Sequence, residues 1–114
     1  MSEQHEHQLQ RANPNAPVPN IVSYVPKQGK EAELLALVKK HEPALRKVGL
    51  VTSEPFRLWK AYDIRKKREQ YIEYFVWKDG AASNVAHQTP EIMAVWEPTG
   101  PVLEELTICE VEQL

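Results

Sequence analysis

Tyr71-Ile72-Glu73-Tyr74-Phe75-Val76-Trp77-Lys78-Asp79-Gly80 is the stretch on which the reading of this chain turns. From Tyr71 to Trp77 both alternating sets are aromatic or branched: Tyr71, Glu73, Phe75 and Trp77 on one, Ile72, Tyr74 and Val76 on the other. Successive strand side chains point to opposite faces, so this run predicts a central strand with apolar cover above and below. Asp79-Gly80 stops it. Ala81 to His87 then predicts one helical piece, and Thr89-Pro90 opens another, with Thr89 in the N-cap position and Pro90 at the first helical position.

On the amino-terminal side, Pro55 to Tyr62 predicts a second strand, with Phe56, Leu58 and Tyr62 alternating against Arg57, Trp59 and Ala61. The link from Asp63 to Glu69 gathers Arg65, Lys66, Lys67 and Arg68. At a hairpin tip, without interleaved aromatics, this basic cluster reads as a solvated turn that discourages edge pairing rather than as a nucleic-acid patch. Further upstream, Leu34, Leu37, Val38, His41, Leu45 and Val48 recur at helical spacing from Lys30 to Val48, and Gly49 is placed to end the helix. Pro43 cannot donate to the carbonyl of Lys39, so a kink is expected, with His41 on the inward stripe beside it. Ile21 to Val25 predicts a short first strand, closed by Pro26 and Lys27-Gln28-Gly29. Downstream, Ile92, Val95 and Trp96 form an apolar stripe that Pro98, Gly100 and Pro101 interrupt, and Leu106 to Leu114 predicts the last strand.

With 114 residues the chain has room for one domain. Residues 1–20 are polar and proline-bearing and predict a flexible N-terminal arm, and 21–114 predict the single folded domain. A formal net charge of −2 excludes an overall basic field for nucleic acid or an anionic membrane. There is no apolar run long enough to span a bilayer and no secretory-type amino terminus, so a cytoplasmic protein is expected. The single cysteine, Cys109, rules out an internal disulfide and reads as a small half-buried strand residue. His5 and His7 lack a third ligand, and no metal is expected.

The order strand, helix, strand, strand, helix, strand, joined by right-handed crossovers, predicts an α+β ferredoxin-like βαββαβ fold with a four-stranded antiparallel sheet and both helices on one face. The other face would expose more apolar surface than a monomer tolerates. A homodimer in which two sheets close face to face into a dimeric α+β barrel removes it.

The run Trp77-Lys78-Asp79-Gly80-Ala81-Ala82, followed by Ala86-His87, Pro90 and Trp96-Glu97 on this strand order, resembles the antibiotic-biosynthesis-monooxygenase family of dimeric α+β barrel proteins, and most of all its uncharacterised bacterial branch. The likeness covers residues 20 to 114 and implies a pocket between sheet and helices. In members that are enzymes it implies cofactor-free oxidation of small aromatic or quinol-like compounds by O₂. A related branch degrades haem with a Trp at the position of Trp77 and an iron-binding His on the second helix. Counted from Trp77, that His position holds Trp96 here, which argues against haem chemistry.

Nucleotide loops, nucleophile elbows and zinc-protease motifs are missing from the sequence, so an enzyme of this sequence would rely on a base and a shaped cavity, without a cofactor. Cofactor-free oxygenation needs a group that removes a phenolic or enolic proton. His87 is the candidate base, or a helix-end histidine bonded to backbone. Glu73, the second catalytic candidate or else half of a buried structural pair with Arg57, stands among aromatics and must be paired, protonated or near water, with His41, His87 or Arg57 as its partner. Trp77, Trp59 and Tyr74 either line a cavity for a flat ligand or pack the core or an interface, and His41 is either a satisfied core histidine or a ligand contact. The alternative to an oxygenase is a non-catalytic small-ligand-binding or structural homodimer of the same fold. A continuous void of about 300 Å³ or more touching both Trp77 and His87 separates the two.

Overall fold

The computed structural model describes residues 15–114, so most of the expected arm and its His5 and His7 lie outside the described residues. The chain forms β1 (Val18–Pro26), α1 (Glu31–Val38), α2 (His41–Lys47), β2 (Arg57–Asp63), β3 (Arg68–Trp77), α3 (Ala82–His87), α4 (Pro90–Trp96), a 3₁₀ turn (Glu97–Val102) and β4 (Leu103–Glu110). The strands make a four-stranded sheet in the order β2-β3-β1-β4, antiparallel throughout. This is the expected ferredoxin-like α+β arrangement. Among the described residues no helix is long and apolar enough to cross a membrane.

Several boundaries differ from the sequence expectation. β1 starts at Val18 rather than Ile21, because Val18, Pro19 and Asn20 pair with Trp77, Val76 and Phe75 at the end of β3. The long kinked helix is instead two helices. The ring of Pro43 cannot lie against the Lys39 carbonyl of a continuous helix, and the chain turns at Lys39 and Lys40, where the Lys40 amide donates to Leu37. Pro43 falls in the first turn of α2, where a missing amide costs nothing. α2 ends at Gly49, whose φ of 73° only glycine adopts freely. There the Leu50 amide bonds Leu45 and the Gly49 amide bonds Arg46. Pro98 and Pro101 tighten the chain into the 3₁₀ turn, so that β4 begins at Leu103 and ends at Glu110.

Thr89 takes the N-cap position of α4, but its side chain does not cap that helix. Its hydroxyl donates to the Val85 carbonyl at 2.7 Å and so closes α3 instead. Cys109 is exposed rather than half-buried, since it stands on an edge strand with its face away from the helices.

The register assigns the two sheet faces. Val18, Asn20, Val22 and Tyr24 of β1 stand beside Trp77, Phe75, Glu73 and Tyr71 of β3 under the helices, where all eight are buried. Leu34, Val38, Leu45 and Ile92 seal this layer from the helix side and are the largest fully buried side chains. The opposite face carries Ile21, Ile72, Tyr74 and Trp59, and Trp59 is 48% exposed. Arg68 of β3 reaches across β1 to Glu105 of β4 on this outer face, where Glu105 stands opposite Val25. In urea denaturation, Leu34→Ala is expected to cost about 2–5 kcal/mol, because its site at 0% exposure cannot collapse around the smaller side chain.

Candidate functional site

Between the helix-side face of the sheet and the α4 to 3₁₀ segment lies a cavity of about 440 Å³. β4 forms its outer wall. Leu106 and Ile108 point to the helix side yet are 47% and 51% exposed, so the cavity opens along this edge strand. Phe75, Trp77 and Trp96 supply aromatic walls, and His41, His87 and Thr99 supply polar groups. The void touches both Trp77 and His87.

The aromatic walls are interlocked. Phe56 stacks on Phe75 with centroids 5.1 Å apart, Phe75 meets Trp77 edge-on at 4.9 Å, and Trp77 meets Trp96 edge-on at 6.4 Å. Arg46 fixes the outer end of this row. It lies over the Phe56 ring at 5.6 Å, pairs with Glu42 and donates to the carbonyls of Thr52 and Glu54. Trp77 is also held through its polar atom. With the Asn20 amide oriented to satisfy both neighbours, its oxygen accepts from the Trp77 indole N–H at 2.7 Å and its nitrogen donates to the Cys109 carbonyl at 3.2 Å. One buried amide thus ties the indole of β3 to the backbone of β4.

Glu73 does not line the cavity; it lies behind two residues that do. The Tyr24 hydroxyl donates to Glu73 Oε1 at 2.6 Å, and His41 Nδ1 sits 3.3 Å from both oxygens. Because the carboxylate and the committed phenol oxygen both act as acceptors, Nδ1 is the donor of the ring toward them, and Nε2 is turned away from this pair. Nε2 is buried and has no hydrogen-bond partner among the described residues, and the same is true of Thr99 Oγ1. Burial, and then the Glu73 charge and hydrogen bond, push the Tyr24 phenol well above its ordinary range.

His87 stands at the exposed rim. Its Nδ1 bonds the Ser83 carbonyl at 2.7 Å and its ring lies 4.9 Å from that of Trp96, which leaves Nε2 as its outward atom. Glu73 therefore pairs with His41 and Tyr24, and not with His87 or Arg57. The register sends Arg57, Trp59 and Tyr74 to the outer sheet face, where Arg57 lies over the Tyr74 ring at 5.8 Å and the Tyr74 hydroxyl donates to Glu54. Of the residues singled out from sequence, Trp77, His41 and His87 meet at the cavity with Glu73 directly behind, whereas Trp59, Tyr74 and Arg57 do not reach it. Asn20, Thr99 and Trp96 were not among them. Asn20 could have been noticed as the polar member of the set Val18, Asn20, Val22, Tyr24; Thr99, between Pro98 and Gly100, gives no comparable signal. No cluster of three metal-ligating side chains occurs among the described residues.

The Tyr24 to Glu73 bond sets a stability expectation. At neutral pH, Tyr24→Phe should cost about 1–3 kcal/mol, because a buried carboxylate loses a donor. With the folded-state pKa raised, only the unfolded chain releases this proton near pH 10.0, so wild type loses stability as pH rises above that value. Urea midpoints from pH 8 to 11 should show that loss approaching roughly 1.4 kcal/mol per pH unit from this group, and the difference between wild type and Tyr24→Phe should shrink accordingly.

No family model matches the sequence, and no curated protein matches it either. Solved structures do match in fold. One described as an antibiotic biosynthesis monooxygenase from Bordetella bronchiseptica superposes with a TM-score of 0.67 at 16% identity, over 87% of this chain and 98% of that one. SnoaB, a cofactor-independent oxygenase from Streptomyces nogalater, gives 0.62 at 15% identity over 86% and 95%. A hydroxynitrile lyase from Passiflora edulis gives 0.65 at 10% identity over 89% and 98%. The chain has the ferredoxin-like fold of the antibiotic-biosynthesis-monooxygenase-like proteins, a fold that also carries a lyase.

Proposed function

We propose that this protein is a cofactor-independent monooxygenase acting on a small aromatic or quinol-like substrate. The observation that carries the reading is the cavity itself, about 440 Å³, walled by Trp77 and Trp96 and reached by the imidazoles of both His41 and His87. Flat aromatic walls suit a flat guest, and an imidazole titrates in the range needed to take a phenolic proton. The resulting anion is electron-rich enough to react with O₂ at a ring carbon. Loss of water from the ring peroxide then gives a quinone, so that one phenol and one O₂ yield one quinone and one water. No external reductant is required. Glu73 supports the reaction from behind His41, and Asn20 holds the Trp77 indole in place.

The same proposal includes a cytoplasmic homodimer. Trp59, Ile72, Tyr74 and Ile21 share the sheet face away from the helices, and a second copy packed face to face would take them out of water. Trp59→Glu is expected to halve the mass seen by light scattering at micromolar concentration; a wild-type monomer under those conditions contradicts the dimer.

Oxygen uptake with a panel of quinols and hydroxylated aromatics, with product mass by spectrometry, tests the activity. Turnover is expected with at least one compound, together with a fall of tenfold or more in His87→Ala, His41→Gln or both. If neither variant changes turnover, base catalysis by the cavity imidazoles is wrong. Tight binding of the panel without oxygen uptake identifies the protein as a ligand-binding dimer instead.

A further inference from the structure

The two cavity imidazoles differ in what stands behind them. His87 is at the exposed rim and its Nδ1 proton rests on a backbone carbonyl, a neutral acceptor that gains little when the ring becomes charged. His41 is 4% exposed and its Nδ1 faces the Glu73 carboxylate, itself 3% exposed and further bound by the Tyr24 hydroxyl. A carboxylate at Nδ1 fixes the tautomer, orients the ring and stabilises the imidazolium formed when Nε2 takes a proton. Glu73 and Tyr24 are the titratable groups in hydrogen-bond contact with His41 among the described residues.

The front of the site is equally specific. His41 and Thr99 both line the cavity, and His41 Nε2 and Thr99 Oγ1 are buried with no hydrogen-bond partner among the described residues. Leaving such atoms unsatisfied is costly unless a ligand or water supplies the missing partner. The rest of the lining joins apolar side chains such as Val22, Phe75 and Leu103 with Ser83 and the carboxylates of Glu97 and Glu110. The ligand that fits this pattern is a compact ring with an acidic hydroxyl and a second oxygen.

We propose that His41 is the proton acceptor of the site, that Glu73 and Tyr24 are its positioning residues, and that the substrate class is phenols or enols whose second oxygen is held by Thr99 Oγ1. This deepens the oxygenase reading and rests on its claim that the cavity takes a small aromatic. The step is a single proton transfer: the substrate O–H bond breaks, an N–H bond forms at His41 Nε2, and the electron pair stays on the substrate oxygen. The phenolate is then held against the imidazolium, whose charge Glu73 balances.

Anaerobic titration with 4-nitrophenol tests this apart from any turnover, because the phenol and phenolate forms differ in colour. At a fixed pH one unit below that of half-ionisation of the free dye, wild-type protein should bind it mainly as the yellow phenolate. The methyl ether, 4-nitroanisole, should bind several-fold more weakly. His41→Gln should bind the dye without the phenolate band, Glu73→Gln should reduce the bound phenolate fraction at least fivefold, and Thr99→Val should weaken binding about fivefold while keeping the band. Because His41 and Glu73 are buried, ¹⁵N NMR of the wild-type imidazoles supplies a second readout. His41 Nε2 should show the shift of a bare nitrogen in free protein and of a protonated one with dye bound.

A phenolate band that persists in His41→Gln but disappears in His87→Ala overturns the proposal and leaves the oxygenase reading standing. Dye bound only as the neutral phenol, or a His41 Nε2 already protonated in free protein, overturns it too. Failure of both dye and ether to bind removes the aromatic cavity reading and this inference together. Proton transfer without oxygen uptake on the quinol panel supports the inference and refutes the oxygenase.

Discussion

A carboxylate buried under a layer of aromatics is the constraint from which most of this structure follows. Glu73 has 3% of its surface exposed, and a charge so placed is tolerated only where donors replace the water it has lost. Tyr24 comes from β1, so the register of β1 against β3 must bring Tyr24 within reach of Glu73 while the two remain on the same face. His41 comes from the first residue of α2, and it arrives there because the chain breaks at Lys39 and Lys40. A continuous helix through Pro43 would follow a different path. The proline that looks like a defect in the pattern is therefore part of what delivers an imidazole to the carboxylate.

The asymmetry of the sheet does the rest. β3 and β1 are central, and their helix-side residues are buried from Val18 and Trp77 at one end to Tyr24 and Tyr71 at the other. β4 is an edge strand that the helices cover only in part, and the half-exposed Leu106 and Ile108 are the result. An apolar chamber thus forms at the sheet margin, with its deepest polar group at His41 and its rim at His87. The Asn20 amide, bonded to the Trp77 indole and to the backbone of β4, links two walls of the chamber through one buried side chain.

How far the sequence reveals this depends on whether a feature is local. The double-sided character of Tyr71 to Trp77 marks β3 as central, and the order of elements then implies the ferredoxin-like topology with little freedom left. The inward placement of His41 follows from helical spacing, and the need of Glu73 for a partner follows from its neighbours, although three partners were open. Pairing register is not local. Tyr74 faces away from Trp77 by alternation within β3, but whether Trp59 and Arg57 share a face with Trp77 depends on the alignment of β2 with β3, and a shift of one residue exchanges the faces. The observed register puts Arg57 opposite Tyr74 and Leu58 opposite Glu73, which sends Arg57 and Trp59 to the outer surface beside Tyr74. Thr99 was hidden for a similar reason, since a segment with Pro98, Gly100 and Pro101 reads as a break and gives no sign that its hydroxyl turns into a cavity.

Likeness of fold narrows the chemistry less than it first suggests. The same chain path is found in an oxygenase and in a hydroxynitrile lyase, so the path alone does not select a chemistry, and the polar groups that line the chamber are what could. Proton removal is useful to both kinds of chemistry, and what distinguishes one base from another is the group behind it. A rim histidine on a backbone carbonyl and a buried histidine on a carboxylate respond differently to the charge that proton transfer creates. The second gains an ion pair shielded from water, where such an interaction is strongest, and its partner was already desolvated when the chain folded. The cost of burying Glu73 is offset during folding by the Tyr24 hydroxyl and the His41 ring, and a positive charge on that ring would face the carboxylate directly. The cavity thus presents two imidazoles of different kind, one buried and backed by a carboxylate, the other exposed and backed by a backbone carbonyl.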